Sequence, residues 1–463
     1  MSNEQFDAIV VGAGQAGPAI AARCSKEGLR TAVIERGHFG GTCVNVGCVP
    51  TKTLVASARA IHLARRGAEF GFDAGTVRVE MARIKARKDG IVGGSRVGVE
   101  SWMRGLTNTE VIVGDARFVA PAVLQVGGRQ LTAPRIFLNV GARSVRPDLT
   151  GIDRVTTLDN VSIMALDQVP EHLVIVGGSY IGLEFAQMMR RFGAEVTVVE
   201  RAARLLPRED EDVSNGIREI LENEGVRFAL ASDCISLARD GERIAVGAVC
   251  AGDQPTIIGS HVLLAVGRRP NTDGLGLAVA GIDTDARGYI QVDDQCRTSA
   301  PGVWAVGDCN GKGAFTHTAW NDHEIVVANL FDGDPRRNIR RITDRIACYA
   351  LFIDPPLGRI GMTETEARAT GRKLLRATMP MQRVGRAREA SETQGFMKVL
   401  VDADTSRLVG AAILGLNGDE VVQSLLDVMA ADQPYTVISR AVHIHPTVTE
   451  LVPTLLQQLR PIT

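Results

Sequence analysis

The 463-residue chain has no apolar run approaching the length of a membrane span, so it does not read as a helical membrane protein. Aromatic residues make up only 4% of it, and 52 Lys and Arg against 53 Asp and Glu leave a formal charge of −1. With neither a basic excess nor aromatic platforms, no nucleic-acid partner is expected. The opening residues Met1–Asp7 are polar and acidic. Ala8–Val11 therefore reads as a first strand and not as the apolar core of a signal peptide. Low-complexity segments are absent, and no cysteine follows Cys348. The eight cysteines (Cys24, Cys43, Cys48, Cys234, Cys250, Cys296, Cys309, Cys348) are scattered, which is no disulfide framework in a chain this long. A cytoplasmic location is expected, and in that reducing setting a close cysteine pair reads as catalytic more readily than structural. What the chain has in quantity is glycine, 49 residues, as suits an α/β protein with many tight strand–helix turns. Its length allows two to four domains.

Residues 41–52 read Gly-Thr-Cys-Val-Asn-Val-Gly-Cys-Val-Pro-Thr-Lys. In a regular helix, residues five apart lie roughly 8.6 Å from each other by Cα, beyond the reach of a disulfide. Pairing Cys43 with Cys48 therefore requires the backbone to leave helical geometry between them. Gly47 permits that, and Pro50 restricts how a helix can resume. A disulfide in so tight a loop suits reversible exchange. Two ordinary buried thiols fit the stretch, taken alone, just as well.

The context of the stretch decides between these readings. Phe6–Gly17 is a short apolar strand running into Gly12-x-Gly14-x-x-Gly17 and a helix-compatible stretch; a second strand, Thr31–Ile34, ends in Glu35. In such a unit the first glycine makes the turn and the second lets the backbone approach a pyrophosphate. The third permits close helix–strand packing, and the acid takes ribose hydroxyls. Downstream, Leu54–Arg66 and much of 74–107 are expected to be helical, and a strand-rich region closes at Ile136–Gly141. A second fingerprint follows Leu173, with Gly177 and Gly182 outside and Ser179 in the middle; its next strand, Glu195–Val199, ends in Glu200. Two such units imply two dinucleotides, or one dinucleotide and a duplicated fold. Strands at Leu263–Gly267 and Val303–Val306 lead into Arg268-Arg269-Pro270-Asn271 and Gly307-Asp308. From about residue 340, strands such as Met397–Val401 and Ala411–Leu414 alternate with amphipathic helices such as Glu420–Ala431.

Together these motifs resemble the class I pyridine nucleotide–disulfide oxidoreductases, the family of dihydrolipoamide dehydrogenase, glutathione reductase and mercuric reductase. The resemblance covers essentially the whole chain. It rests on Gly12–Gly17 with Glu35, Gly41–Lys52, Gly177–Glu184, Gly267–Asn271, Gly307-Asp308 and His445–Glu450. It implies an α/β fold with two Rossmann-like dinucleotide-binding domains, for FAD and NAD(P), plus a C-terminal α+β dimerisation domain. The implied divisions are 1–150 for the first part of the FAD domain and 151–272 for the NAD(P) domain. Residues 273–338 complete the FAD domain, and 339–463 form the interface domain of a homodimer whose active site is shared between subunits.

The resemblance also implies roles. Electrons pass from NAD(P)H through the flavin to a Cys43–Cys48 disulfide. Cys48 makes the charge-transfer contact with the flavin, and Cys43 exchanges with substrate. Lys52 meets the flavin and pairs with Glu184. His445 is the base and Glu450 its orienting carboxylate, although Thr447-Val-Thr-Glu450 is also a capping box that would use Glu450 to start a helix. His443 is structural. FAD contacts are implied at Gly12, Gly14, Gly17, Glu35, Arg36, Gly41, Thr42, Lys52, Ala116, Gly141 and Asp308. The second nucleotide is implied at Gly177, Ile181, Gly182, Glu200 and Gly267, with Tyr180 covering the nicotinamide. Glu200 favours NADH by repelling a 2′-phosphate, whereas Arg201 and Arg204 could clamp one. NADH is expected, with NADPH use open. No resident metal is expected, and the other six cysteines read as small apolar fillers.

The segment Asp354–Gly361 looks most like the mercuric reductase branch. Mercuric reductases carry a vicinal cysteine pair near the C-terminus, however, and this chain shows none. That argues against efficient mercuric-ion reduction and leaves any substrate to reach Cys43 directly. The sequence is compatible with three activities: a reductase of a disulfide or metal ion, a dihydrolipoamide dehydrogenase, and a redox-sensing flavoprotein.

Overall fold

The structure, a computed structural model, describes residues 2–248, 256–333 and 339–462. The helices that carry or brace the sites are α1 (Ala16–Lys26), α2 (Gly41–Val46), α3 (Cys48–Arg65), α4 (Met81–Arg104), α5 (Tyr180–Phe192), α6 (Glu211–Asn223) and α7 (Thr316–Phe331). The chain divides into two compact units, each built from discontinuous segments. One comprises 1–53, 85–145 and 267–345; the other comprises 54–84, 146–266 and 346–463.

The first unit is centred on a five-stranded parallel sheet in the order Val303–Ala305, Ile136–Leu138, Ala8–Val11, Thr31–Glu35, Thr109–Val113. Its central strand, Ala-Ile-Val-Val, is buried at every residue, as expected of a parallel strand covered on both faces. Ile9 and Val11 pack on one side with Ile34, Phe118 and Leu138. Ala8 and Val10 pack on the other with Val33, Phe137 and Ile20 of α1. Each such buried aliphatic side chain contributes about 1.5–3 kcal/mol.

The second unit repeats the plan. A four-stranded parallel sheet runs Arg227–Ala229, Glu195–Val199, His172–Val176, His261–Leu264. The same unit holds a six-stranded sheet from the C-terminal segment, antiparallel at every pairing, whose long strands are Leu374–Pro380, Phe396–Asp402 and Leu408–Leu414. The helix Gly418–Ala430 buries Val421, Val422 and Leu425 in the core of that sheet.

Three local expectations are corrected. Within 74–107 the helix begins only at Met81. Gly75 sits at φ +62°, and the β-branched Thr76, Val77 and Val79 that follow favour extended backbone. The strand expected at Leu263–Gly267 ends at Leu264, before Gly267 at φ +123°. Cys24, Cys296 and Cys309 are buried reduced thiols, which fits the filler reading, but Cys234 is disulfide-bonded and is no filler. Cys250 lies outside the described residues.

Candidate functional site

In the first unit, the central strand ends at Gly12, whose φ of +101° and nearness to the next crossing strand leave no room for a side chain. A Cβ there would lie 2.3 Å from the Asn139 carbonyl oxygen, and one at Gly17 would lie 2.1 Å from the Gly12 oxygen. The Asn139 side-chain amide, turned so that both bonds are made, accepts the N–H groups of Gly17 at 2.8 Å and Gly14 at 3.2 Å. Helix α1 starts with no side-chain cap, which leaves its N-terminus suited to an anion. The Glu35 carboxylate is pinned beside the turn, accepting from Ala13 N at 2.8 Å and Gly37 N at 2.8 Å. Arg36 is exposed, 4.0 Å from Asp115. Ala116 opens the strand Ala116–Ala120, and Gly141, at φ +65°, accepts the Asn271 N–H at 3.0 Å.

Asp308 lies in the short turn Gly307–Asn310, with Arg268 Nη1 at 2.9 Å. Burial pushes its carboxyl upward, opposed by the Arg268 charge. The turn is held from beneath by Asp322 of α7. That buried carboxylate accepts Gly307 N at 2.8 Å, Asn310 Nδ2 at 2.9 Å, and the Arg345 guanidinium. Sequence reasoning missed both Asn139 and Asp322, because neither belongs to a spaced motif.

Next along the chain comes the cysteine pair. Helix α2 stops at Val46, Gly47 breaks the backbone at φ −133° and ψ −117°, and α3 starts at Cys48. A Cβ at Gly47 would lie 2.8 Å from the Thr42 carbonyl oxygen, so the tight return between the two short segments requires glycine. Pro50 falls in the first turn of α3, where its missing N–H costs no helix bond. Both cysteines are in the dithiol form. Cys48 Sγ lies 3.2 Å from Thr316 Oγ1, at the N-terminus of α7. The hydrogen bond to Cys48 and then burial push the Cys43 thiol well above its ordinary range. Asn45 braces the loop through the Phe39 and Gly41 carbonyls, each at 2.9 Å, and receives Arg96 Nε at 2.7 Å. Gly41 is pressed against the fingerprint turn: a Cβ there would lie 2.8 Å from Gly14 Cα. Lys52 stands one turn beyond Cys48 on α3.

The second unit copies the first turn closely. A Cβ at Gly177 (φ +114°) would lie 2.5 Å from the Ala265 oxygen, and one at Gly182 would lie 2.1 Å from the Gly177 oxygen. Glu200 accepts from Gly178 N at 2.6 Å and Ala202 N at 2.8 Å, as Glu35 does from its neighbours. Ser179 precedes α5, on which Ile181 is exposed and Glu184 is buried, accepting Phe352 N at 3.0 Å. Arg204 donates to the Pro207 carbonyl of its own loop at 3.0 Å. Gly267 belongs to the first unit, where its carbonyl accepts Val145 N at 3.0 Å.

Near the end of the chain, His445 Nδ1 and Glu450 Oε2 are 2.8 Å apart, and Glu450 N donates to Thr447 Oγ1 at 3.2 Å. Glu450 thus makes half of the capping box with its backbone while its carboxylate goes to the imidazole. The His445 side chain is 80% exposed, and its neighbours Val442 and Ile444 are 100% and 80% exposed.

Comparison with known proteins identifies the family. The pyridine nucleotide-disulphide oxidoreductase family profile matches residues 6–322, and the family's dimerisation domain matches 348–456. The chain belongs to the pyridine nucleotide–disulphide oxidoreductases. It is 33% identical over 458 residues to the probable pyridine nucleotide-disulfide oxidoreductase RclA of Escherichia coli, covering 96% of this chain and 97% of RclA. It is 32% identical to dihydrolipoyl dehydrogenase of Geobacillus stearothermophilus (96% and 94% covered) and 29% identical to a mercuric reductase of Lysinibacillus sphaericus (91% and 77%). Among solved structures, the Cu(II) complex of the HOCl-induced flavoprotein disulfide reductase RclA of Escherichia coli superposes with a TM-score of 0.89 at 33% identity, covering 98% of this chain and 99% of that one.

This oxidoreductase is accordingly an FAD flavoprotein that uses NAD(P)H. Its own residues fit the flavin nucleotide. Gly12, Gly14 and Gly41 form a cradle that side chains would fill, the α1 N-terminus is uncapped, and Glu35 is fixed beside it. Among the described residues no helix is long and apolar enough to cross a membrane, and no group of three or more His, Cys, Asp or Glu could hold a metal ion.

Proposed function

We propose that this oxidoreductase passes the electron pair of NAD(P)H to the Cys43–Cys48 pair and on to a small disulfide or metal ion that reaches Cys43 directly. The observation that carries this reading is the helix break at Gly47, which sets two cysteines on opposite sides of one turn with Cys48 Sγ against the Thr316 hydroxyl. Bound FAD supplies the two-electron chemistry between nicotinamide and sulfur that side chains lack. Gly12, Gly14, Gly17, Glu35, Gly41, Thr42 and Asp308 hold it, with Arg36, Ala116 and Gly141 at the nucleotide end. Lys52 serves its reactive ring. Gly177, Gly182, Glu200, Tyr180 and Ile181 receive the nicotinamide dinucleotide.

The substrate step follows from the thiols. With Cys43 held protonated by its neighbour, a base must take its proton before it can attack. His445, oriented through Nδ1 by Glu450, is that base, and its Nε2 remains to exchange the proton. The Cys43 thiolate attacks one sulfur of a disulfide substrate, and the leaving thiolate takes the proton from His445. Cys48 then displaces the second thiol and restores the Cys43–Cys48 disulfide. The exposure of His445 together with Val442 and Ile444 supports a role for this loop against a second copy of the chain, in a homodimer with shared sites. The Glu200 carboxylate, and the bond that ties Arg204 to its own loop, support NADH over NADPH.

A panel of lipoamide, glutathione disulfide, mercuric and cupric ions, each with NADH and with NADPH, tests the reading. Turnover of a disulfide or metal ion above lipoamide is expected. Turnover of lipoamide alone would make the enzyme a dihydrolipoamide dehydrogenase, and slow turnover of all four would leave a redox sensor. Cys48→Ser should lower turnover by at least about 1,000-fold and remove long-wavelength charge-transfer absorbance while FAD stays bound. Loss of flavin from that variant would mark Cys48 as structural.

A further inference from the structure

Tyr180 opens α5 directly after the second glycine turn, and its hydroxyl is tied back into the protein. It donates to Glu209 Oε1 at 3.2 Å, and Tyr349 donates to the same oxygen at 2.6 Å. The two rings meet edge to face, with centroids 5.6 Å apart and planes at 84°. Glu209 is 2% exposed, and its other oxygen makes no hydrogen bond; the nearest cationic atom is Arg359 Nε at 3.9 Å. The next residue is firmly moored. Asp210 accepts Glu364 N at 2.9 Å, Arg359 Nη2 at 3.1 Å and Lys398 Nζ at 2.9 Å. Tyr349, Arg359, Glu364 and Lys398 all come from the C-terminal segment, so that segment fixes the carboxylate to which Tyr180 is tied.

We propose that Glu209 and Tyr349 form a latch that holds Tyr180 in its resting position and thereby sets the affinity for nicotinamide. The inference rests on the reading that Tyr180 covers the nicotinamide pocket. A ring that covers a pocket must move before the ligand can enter, and the observed affinity falls by the fraction of molecules in which it has moved. Breaking a bond from a hydroxyl to a buried carboxylate is part of that cost, and a charged acceptor makes the bond stronger than a neutral one. Glu209 and Tyr349 are positioning residues: they act on nicotinamide through Tyr180. The two hydroxyls also hydrogen-bond each other, so loss of the Tyr349 hydroxyl removes a direct partner of Tyr180 and loosens the latch. Loss of the Tyr180 hydroxyl or of the Glu209 charge loosens it more.

The test is anaerobic stopped-flow reduction of the holoenzyme by NADH, read as the half-saturating concentration. Tyr180→Phe and Glu209→Gln should each lower that concentration by about three- to tenfold, and the pair together should do no more than either alone. Tyr349→Phe should lower it by less, because Tyr180 keeps its bond to Glu209. The limiting rate and flavin spectrum of Glu209→Gln should match the parent enzyme, which separates the latch from general damage. Should Glu209→Gln fail to fold, a lowered half-saturating concentration in both Tyr180→Phe and Tyr349→Phe still supports the latch. Parent-like half-saturation in Tyr180→Phe and Tyr349→Phe, with a changed value in Tyr180→Ala, would overturn the latch and leave the pocket reading standing. A parent-like value in Tyr180→Ala as well would mean that Tyr180 does not lie in the pocket.

Discussion

The two glycine turns can be compared atom for atom. Gly12 backs onto the carbonyl of Asn139 and Gly177 onto that of Ala265; Gly17 and Gly182 approach the carbonyls of Gly12 and Gly177 equally closely, and each acid accepts the same pair of backbone N–H groups. What differs is the residue crossing beneath. In the first turn the Asn139 amide holds the N–H groups of Gly14 and Gly17, and a Cβ at Gly14 would come within 3.0 Å of that amide. Ala265 has only a methyl group, and the second turn carries Ser179 at the middle position. The middle glycine of the fingerprint is usually explained by the approach of a pyrophosphate. Here the strand beneath the turn is an independent reason for it. The first turn also supports Gly41, and so the start of the cysteine segment. The second leaves its helix entrance to Ser179 and Tyr180.

The sharpest way to break this comparison is to place the same methyl group in each turn. Gly12→Ala forces a Cβ onto a backbone carbonyl at a φ that L residues avoid, so the variant should be purified without FAD. Gly177→Ala meets an equivalent carbonyl but should keep its flavin, while losing NADH-supported turnover by more than about 100-fold. Flavin absorbance per protein and reduction by dithionite distinguish the two. Equal loss of flavin in both variants would mean that the turns do not serve separate nucleotides.

A smaller effect tests the role of Asn139. Gly14→Ser should destabilise the protein by about 1–3 kcal/mol, because the added atoms crowd the amide. The reverse exchange, Ser179→Gly, should cost less than about 1 kcal/mol. Combining Gly14→Ser with Asn139→Ala should show a favourable coupling of about 1 kcal/mol in a double-mutant cycle on melting temperature. Strict additivity would separate the glycine from the amide.

The sequence was most legible where function is written in short-range spacing. Gly12–Gly17 with Glu35, the break at Gly47 between two cysteines, and the His445–Glu450 pair each lie within a few residues or one strand–helix–strand unit, where chain geometry dictates the outcome. Residues that reach the same turns from far along the chain were not legible. Asn139 lies 127 residues from Gly12, Thr316 is 268 residues from Cys48, and Tyr349 is 140 from Glu209. Asp322 and Arg345 meet the Gly307 turn only because α7 folds back beneath it. Such partners follow from tertiary packing, which periodicity does not encode. The bond at Cys234 was misread because scattered spacing gave no reason to separate one cysteine from the other fillers.

The smallest expected effect concerns acid stability, where the two units differ in histidine content. In the second unit His172 sits in an inner strand of the parallel sheet, with Nδ1 2.8 Å from the Ile258 oxygen and Nε2 2.9 Å from Thr197 Oγ1. Burial lowers its pKa, and likewise those of His261 on the neighbouring strand and His62 on α3. In the first unit burial lowers His323, and no histidine lies in the strands of its parallel sheet. For a lowered histidine the unfolded chain binds the proton more readily than the folded one. The stability such groups contribute is therefore present above their ordinary value near 6.5 and is lost as pH falls below it. The second unit should weaken first between about pH 6.5 and 5. The three tryptophans, Trp102, Trp304 and Trp320, all lie in the first unit, so their fluorescence reports on that unit alone. On acid titration, loss of far-UV dichroism should precede the fluorescence change. His172→Gln should move the dichroism midpoint to lower pH by about a few tenths of a unit. Coincident transitions in parent and variant would mean that the two units lose structure together and that the buried histidines do not set the order.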